Sequence, residues 1–185
     1  MLPTGQRLQG GPAAYGRAAA DVRLLRARAL VASGKTADAL REIAVAEELH
    51  PVHLDLAVRL VPALEVAGAK DEAGQLFERV AGRWLKACEA FPLCAESHNQ
   101  LGWLFARCRR RLDEALMHAT KAVESDPSAA GYLDTLAEVH FQRGDRAKAI
   151  ELIKKCLKMS SGNVGFYQQQ LKRFETGNPK DEPAE

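Results

Sequence analysis

The sequence predicts an all-α fold built from repeated helix pairs. Three residue types that recur at one common spacing support this prediction. An alanine, a glycine and a leucine each recur at a separation of 34 positions. The pairs are Ala39 and Ala73, Ala115 and Ala149, Gly34 and Gly68, and Leu30 and Leu64. Because independent markers keep one register, the spacing indicates a structural repeat. One amphipathic helix cannot bury its apolar stripe alone, so each repeat is expected to be a pair of packed helices.

The elements follow in order along the chain. Residues 1–16 are rich in Gly and Pro without a helical period, which favours a flexible leader. The helical pattern begins at about Arg17 and extends to residue 175, and Pro62 predicts a kink or a weakened repeat. The expected segments are repeat units at 20–53, 54–94, 95–129 and 130–163, a capping helix at 164–175 and a disordered tail at 176–185.

The period breaks once, between Ala73 and Ala115, which are 42 residues apart. One extra residue falls in the turn at 107–111, and seven fall in the segment 84–91. Seven residues are about two helical turns, so the second helix of the second unit is expected to be longer by roughly 10 Å. Its apolar stripe is expected to continue through Phe77, Val80, Trp84, Cys88 and Phe91.

Glycines mark the turns within the units. Gly34, Gly68 and Gly144 are expected to adopt the left-handed conformation that ends a helix. Asp145 is expected to cap the helix that follows.

The last unit shows the fullest form of the repeated pattern. It reads Leu136, Ala137, His140, Phe141, Gly144, Asp145, Ala149, Ile150, Ile153, Cys156 and Leu157. This pattern resembles the tetratricopeptide repeat (TPR), a helix–turn–helix unit with a period of 34 residues. Residues 95–174 resemble the C-terminal arrays of bacterial TPR proteins, whereas residues 20–94 match more loosely. The resemblance implies a right-handed superhelix, or α-solenoid, of about four helix pairs plus the C-terminal capping helix.

Composition excludes several classes of protein. Twenty-six basic and 24 acidic residues give a net charge of +2, which lacks the basic excess of a nucleic-acid-binding protein. No apolar run reaches the roughly 18 residues of a membrane span. The first residues lack the apolar core of a signal peptide, so a cytoplasmic location is expected.

No motif predicts catalysis. The segment 33–36 ends like a phosphate-binding loop but lacks its first glycine and a preceding strand. Cys88, Cys94 and His98 lack the fourth ligand and the close pairs of a structural zinc site. We therefore expect no enzymatic activity, no cofactor and no metal ion.

The resemblance further implies a concave groove lined by the first helix of each unit. The candidate partner-binding residues are Arg59, Asn99, Gln100, Trp103, Arg107, Asp134, Glu138 and Phe141. Aromatic and arginine side chains are the usual energetic anchors of interfaces, which favours Trp103 and Phe141. Both aromatic residues have an alternative place in the packing between units.

The leading function is a non-catalytic protein–protein interaction scaffold that binds a peptide or protein segment in this groove. One alternative is a structural or self-associating module, a homodimer formed through the overlong helix at 84–91. Another is a regulatory fragment of a larger enzyme.

Overall fold

The computed structural model describes residues 12–159 and 162–178, and this part of the chain forms nine α-helices and no strand. The all-α prediction is confirmed. The helices are α1 (Pro12–Ala32), α2 (Thr36–Leu49), α3 (Leu54–Val66), α4 (Lys70–Ala90), α5 (Ala95–Arg107), α6 (Leu112–Ser125), α7 (Ala130–Gln142), α8 (Arg146–Met159) and α9 (Val164–Thr176). They belong to two compact units, residues 1–80 and residues 81–185.

In the first unit α1 packs against both α2 and α3. The repeated alanine Ala39 is fully buried, as are Ala20 and Ala27 on α1. Two contacts between polar side chains join residues that are distant in sequence. The imidazole of His53 lies 2.8 Å from a carboxylate oxygen of Asp21, and Arg79 donates to Glu47 at 2.9 Å.

Helix α1 begins at Pro12, five residues before the predicted start at Arg17. The predicted leader was therefore too long, although residues 1–11 lie outside the described part of the chain. Proline is tolerated in the first turn of a helix because its missing N–H has no partner there. Gly16 is required by packing: a Cβ atom added there would lie 2.9 Å from the carbonyl oxygen of Leu49. Pro62 is also accommodated, since α3 continues through it.

The overlong helix is confirmed. Helix α4 has 21 residues, whereas α2, α6 and α8 each have 14. The apolar stripe is shorter than predicted, however. Cys88 is buried, but Phe91 follows the end of the helix and is 67% exposed. Pro92 forces the chain out of the helix before the Phe91 side chain can turn inward.

In the second unit the remaining helices pack in sequence, and α5 also contacts α7. Ala115, Ala119 and Ala149 are fully buried. Gly102 marks a close approach of α5 and α6, because a Cβ atom added there would lie 3.1 Å from the Cβ of Ala119. None of the described helices combines the length and the apolar composition that crossing a lipid bilayer requires.

The turns within the helix pairs share one geometry. Gly34, Gly68 and Gly144 have φ values of 75°, 85° and 88°, as predicted. In the third pair a non-glycine residue, Arg109, occupies the same position with φ 52°. Its N–H donates to Ala106 at 3.0 Å, as the N–H of Gly144 donates to Phe141 at 3.0 Å.

The third turn has one additional residue, as predicted. It comprises residues 108–111, whereas the other three turns comprise three residues each. The additional residue Arg111 also has a positive φ, of 51°. Asp145 caps α8 as expected, since its Oδ1 accepts the N–H of Lys148 at 3.2 Å.

Candidate functional site

The candidate site lies on the first helices of the two pairs in the second unit, α5 and α7. Helix α5 carries Asn99, Gln100, Trp103 and Arg107, and α7 carries Asp134, Glu138 and Phe141. The two helices contact each other, so the structure brings these seven predicted residues onto adjacent elements. Arg59 lies on α3 in the first unit, where it is partly exposed.

Glu138 is the centre of a buried polar cluster. Its side chain has no exposed surface and accepts hydrogen bonds from three residues on three helices. Arg107 of α5 donates at 3.2 Å, and Gln142 of α7 donates at 2.8 Å. Arg173 of α9 donates twice, at 2.6 and 3.0 Å. Glu138 therefore connects the helices α5, α7 and α9.

These contacts keep Glu138 ionised. Burial alone would raise the pKa of its carboxyl group, but the hydrogen bond and the charge of Arg173, assisted by Arg107, lower the pKa below its ordinary value. A buried carboxylate is stable only when its charge is compensated and hydrogen-bonded. The cluster provides both.

Asp134, one turn before Glu138, is in the opposite situation. Burial and then the charge of Glu138 raise the pKa of Asp134 to about 7, although Arg173 opposes the shift. Its Oδ1 atom has no hydrogen-bond partner among the described residues. Near neutral pH a substantial fraction of this side chain is therefore the neutral acid.

Phe141 does not face an open groove. It is 1% exposed, and its ring centroid lies 4.8 Å from that of Phe174 on α9. The guanidinium of Arg173 also lies over the Phe141 ring, at 4.8 Å from the centroid. The prediction that Phe141 is an accessible anchor is therefore wrong, and its alternative place in the packing is the observed one.

The prediction that Asp134 and Glu138 are accessible to a partner is wrong for the same reason. They are 7% and 0% exposed, since α9 supplies Gln170 and Arg173 to this face. Both α9 side chains are buried themselves. The terminal helix was expected to cover apolar surface. The prediction missed that this helix also covers the polar side chains that lie between the apolar ones on α7.

Helix α9 is fixed in place by Arg146 at the start of α8. Its guanidinium donates to the carbonyl oxygens of Phe174 at 2.9 Å, Glu175 at 2.8 Å and Gly177 at 2.9 Å. The last carbonyl groups of a helix have no partner within the helix, and a cation there also interacts favourably with the helix dipole. Two arginines therefore hold α9 in position: Arg173 binds Glu138 of α7, and Arg146 of α8 binds the carbonyl groups at the end of α9.

The accessible part of the candidate site lies on α5. Asn99, Gln100 and Trp103 are partly exposed there. The guanidinium carbon of Arg107 lies 5.6 Å from the Trp103 ring centroid, within the range of a cation–π contact. Arg107 therefore connects the partly exposed indole to the buried Glu138.

Two residues of this region, Gln170 and Arg173, were absent from the sequence prediction. The sequence contains a signal for Gln170. Gln170 lies three residues after Tyr167 and four before Phe174, which places a polar side chain on the apolar face of the terminal helix.

Comparison with known proteins identifies the repeat. A model of the tetratricopeptide repeat family matches residues 24–87. The match lies in the part of the chain where the sequence resemblance was looser, and it includes both Gly34 and Gly68. The third unit, with Arg109 and an additional turn residue, lies outside it.

A solved structure from Pseudomonas aeruginosa, described as the functional characterization of pilF, is also similar. The alignment has 17% identity and a TM-score of 0.45, and it covers 86% of this chain and 69% of that chain. Similarity at this level carries no functional information. Residues 24–87 thus match the tetratricopeptide repeat, and four helix pairs in the described part of the chain share its helix–turn–helix form and one turn geometry.

Proposed function

We propose that this protein is a non-catalytic scaffold that binds a peptide or protein segment on the exposed face of α5. Tetratricopeptide repeats generally mediate protein–protein interactions. The observation that carries the proposal is the partly exposed indole of Trp103, which the Arg107 guanidinium contacts at 5.6 Å. A partly exposed aromatic residue with a fixed neighbour is the usual form of an interface anchor.

The charges around Trp103 indicate the chemistry of the segment. Arg107 is already paired with Glu138 at 3.2 Å, and its side chain is only 10% exposed. The amides of Asn99 and Gln100 lie on the same helix, but the Asn99 amide oxygen is buried and the Gln100 amide already donates to Glu96. A segment that places an apolar side chain on the indole fits this surface. A strongly acidic segment is not favoured, because the arginine that contacts the indole is already paired with Glu138.

A peptide-display selection on the immobilised full chain tests the proposal. Binding of a recovered peptide is then measured by calorimetry for the wild type, for Trp103→Ala and for the control Met117→Ala. Met117 is 56% exposed on α6, away from the first helices. We expect Trp103→Ala to weaken binding about thirtyfold, since truncation of an interface anchor costs at least about 2 kcal/mol. The control should bind as the wild type does.

The melting temperature of each variant separates binding from packing. If Trp103 serves the interface, its replacement lowers affinity and leaves the melting temperature nearly unchanged. Unchanged affinity together with a large fall in melting temperature would place Trp103 in the packing between helices and remove it from the site.

Self-association is a second candidate function, because two large apolar side chains follow the overlong helix. Phe91 is 67% exposed and Leu93 is 91% exposed. Adjacent exposed apolar residues often mark a protein–protein contact. Sedimentation of the wild type and of Phe91→Ser/Leu93→Ser tests this: a dimer that becomes monomeric in the variant supports it, and a monomeric wild type contradicts it.

A further inference from the structure

Three buried side chains with metal-binding atoms meet in the second unit. Cys88 lies near the end of α4, His98 in the first turns of α5 and His118 in the middle of α6. Their exposed fractions are 7%, 4% and 5%. The thiol sulfur and one nitrogen of each imidazole all lie within 4.8 Å of one another.

The hydrogen bonds of His98 orient its ring. Its Nε2 lies 3.1 Å from the carbonyl oxygen of Pro92, so Nε2 carries the proton and donates it. The unprotonated Nδ1 then lies 2.8 Å from Nδ1 of His118. Metal-binding histidines almost always donate their second ring N–H to a carbonyl or a carboxylate, which fixes the tautomer. His98 has this arrangement.

The fourth unit shows what the same positions hold when they serve packing alone. Leu133 is the fourth residue of α7, as His98 is of α5, and Leu152 is the seventh residue of α8, as His118 is of α6. Both leucines are buried. The third unit therefore carries ring nitrogens, hydrogen-bonded to each other and to Pro92, at positions that the fourth unit fills with apolar side chains.

The thiol of Cys88 also lies at a position that the other units lack. Cys88 lies in the seven residues by which α4 exceeds the other second helices. The extension of α4, the histidine on α5 and the histidine on α6 are three departures from the repeat pattern, and all three converge on one point.

We propose that Cys88, His98 and His118 bind one Zn²⁺ ion, with water or an external donor as the fourth ligand. Thiolate and imidazole are the ligands that Zn²⁺ prefers, at about 2.3 Å for sulfur and 2.0–2.1 Å for nitrogen. Tetrahedral geometry at those lengths separates the two nitrogens by about 3.3 Å. The observed 2.8 Å between the Nδ1 atoms therefore has to open by only about half an ångström.

Binding of the ion rearranges the protons of its ligands. Burial, the neighbouring His98 and then Lys121 lower the pKa of His118 to about 4, so its imidazole is neutral at pH 7. The ion replaces the hydrogen bond between the imidazoles, and the proton on His118 moves to the nitrogen that does not bind the metal. Burial and then Cys94 raise the pKa of the Cys88 thiol, so the ion has to displace this proton, which is released to the solvent.

Cys94 is not a ligand in this proposal, although the sequence had associated it with Cys88 and His98. It lies just before α5 and is only partly buried, and its sulfur accepts a hydrogen bond from Ser97 at 3.3 Å. His118, distant in sequence, takes its place. The bound ion would fix the last turns of α4 to α5 and α6.

Cobalt substitution of the full chain provides the test. The reduced, chelator-treated protein is titrated with Co²⁺, then with Zn²⁺, and the metal content is measured after gel filtration. We expect one ion per chain, a thiolate-to-cobalt charge-transfer band, and loss of the band when Zn²⁺ displaces the cobalt. Zinc at a hundred times its Kd should raise the melting temperature by on the order of 5 °C.

Four variants decide between the proposed site and adventitious binding. Cys88→Ser and the double variant His98→Leu/His118→Leu should lose the band. The leucines copy the fourth unit, so the double variant is expected to fold. Cys94→Ser and Cys156→Ser should retain the band, since Cys156 is a buried thiol that instead donates to the Ala130 carbonyl at 3.3 Å. Absence of the band in the wild type, its retention in Cys88→Ser, or its loss in Cys94→Ser would overturn the assignment.

Discussion

Glu138 on α7 and Arg173 on α9 form a two-point ion pair in which the nitrogen–oxygen distances are 2.6 and 3.0 Å. The two residues are 35 positions apart, about one repeat, so the pair joins the first helix of the last full unit to the terminal helix. Glu138 also accepts from Arg107, which lies 31 residues before it. One carboxylate therefore joins the first helices of two successive units to the terminal helix.

Replacement of this carboxylate should be strongly destabilising. Glu138→Gln leaves the Arg173 guanidinium buried without its counter-charge, and breaking a buried pair in this way costs about 3–5 kcal/mol. Urea denaturation of the wild type and the variant measures the difference in the free energy of unfolding. Glu151→Gln is the matched control, because Glu151 is 47% exposed and its pairs with Lys148 and Lys155 lie at the surface. It should change stability far less than Glu138→Gln does, because ion pairs at the surface are screened by solvent.

Asp134 should make the protein less stable as the pH rises from about 4 to about 7. The pKa of Asp134 is raised to about 7 in the folded state, so the native protein binds more protons than the unfolded chain in that range. Each unit of pKa difference corresponds to about 1.4 kcal/mol, which gives a loss on the order of a few kcal/mol. Asp134→Asn removes the ionisation, so the difference in unfolding free energy between this variant and the wild type should grow with pH. A constant difference between pH 4 and pH 8 would contradict the assignment.

Arg109→Gly should stabilise the protein. A non-glycine residue in the left-handed region costs about 1–2 kcal/mol, and glycine occupies this turn position in the other three helix pairs. The greater freedom of glycine in the unfolded chain favours unfolding and offsets part of this gain. The expected net stabilisation is about 0.5–1 kcal/mol, seen as a higher melting temperature. Arg110→Gly is the control, since Arg110 has no positive φ and its replacement should not stabilise.

Ala149→Leu should destabilise the last helix pair. Ala149 is fully buried, and overpacking a close contact typically costs about 1–3 kcal/mol. The control is Ala147→Leu, two residues earlier on α8, where the side chain is exposed. Thermal melting compares the two, and equal melting temperatures would show that Ala149 does not limit the approach of the helices.

The sequence predicted those features of the fold that depend on local chemistry. The glycines 34, 68 and 144 were identified because only a left-handed residue closes a helix in that turn, and the extended α4 because an insertion of seven residues is visible in the spacing of Ala73 and Ala115. The start of α1 was missed because Pro12 and Gly16 read as helix breakers, while the packing of Gly16 against Leu49 depends on tertiary structure.

The candidate site was predicted less completely, since exposure depends on elements distant in sequence. The pattern of α7 alone leaves Asp134, Glu138 and Phe141 on its outer face, and only the position of α9 shows that they are covered. The cluster of Cys88, His98 and His118 was only partly visible: the sequence related Cys88 to His98, but 30 residues separate Cys88 from His118. No local spacing motif relates them.

The length of the insertion in α4 also limits how such a repeat can evolve. At 3.6 residues per turn, a side chain seven positions further along a helix is rotated by only about 20°. Cys88 lies seven residues after the fully buried Ala81, so both side chains face the same interior. Its neighbours Ala87 and Glu89 are rotated from Ala81 by roughly 120° and 80°, and they are half-buried and exposed. An extension by nearly whole turns therefore adds a buried position to α4 without disturbing the older ones.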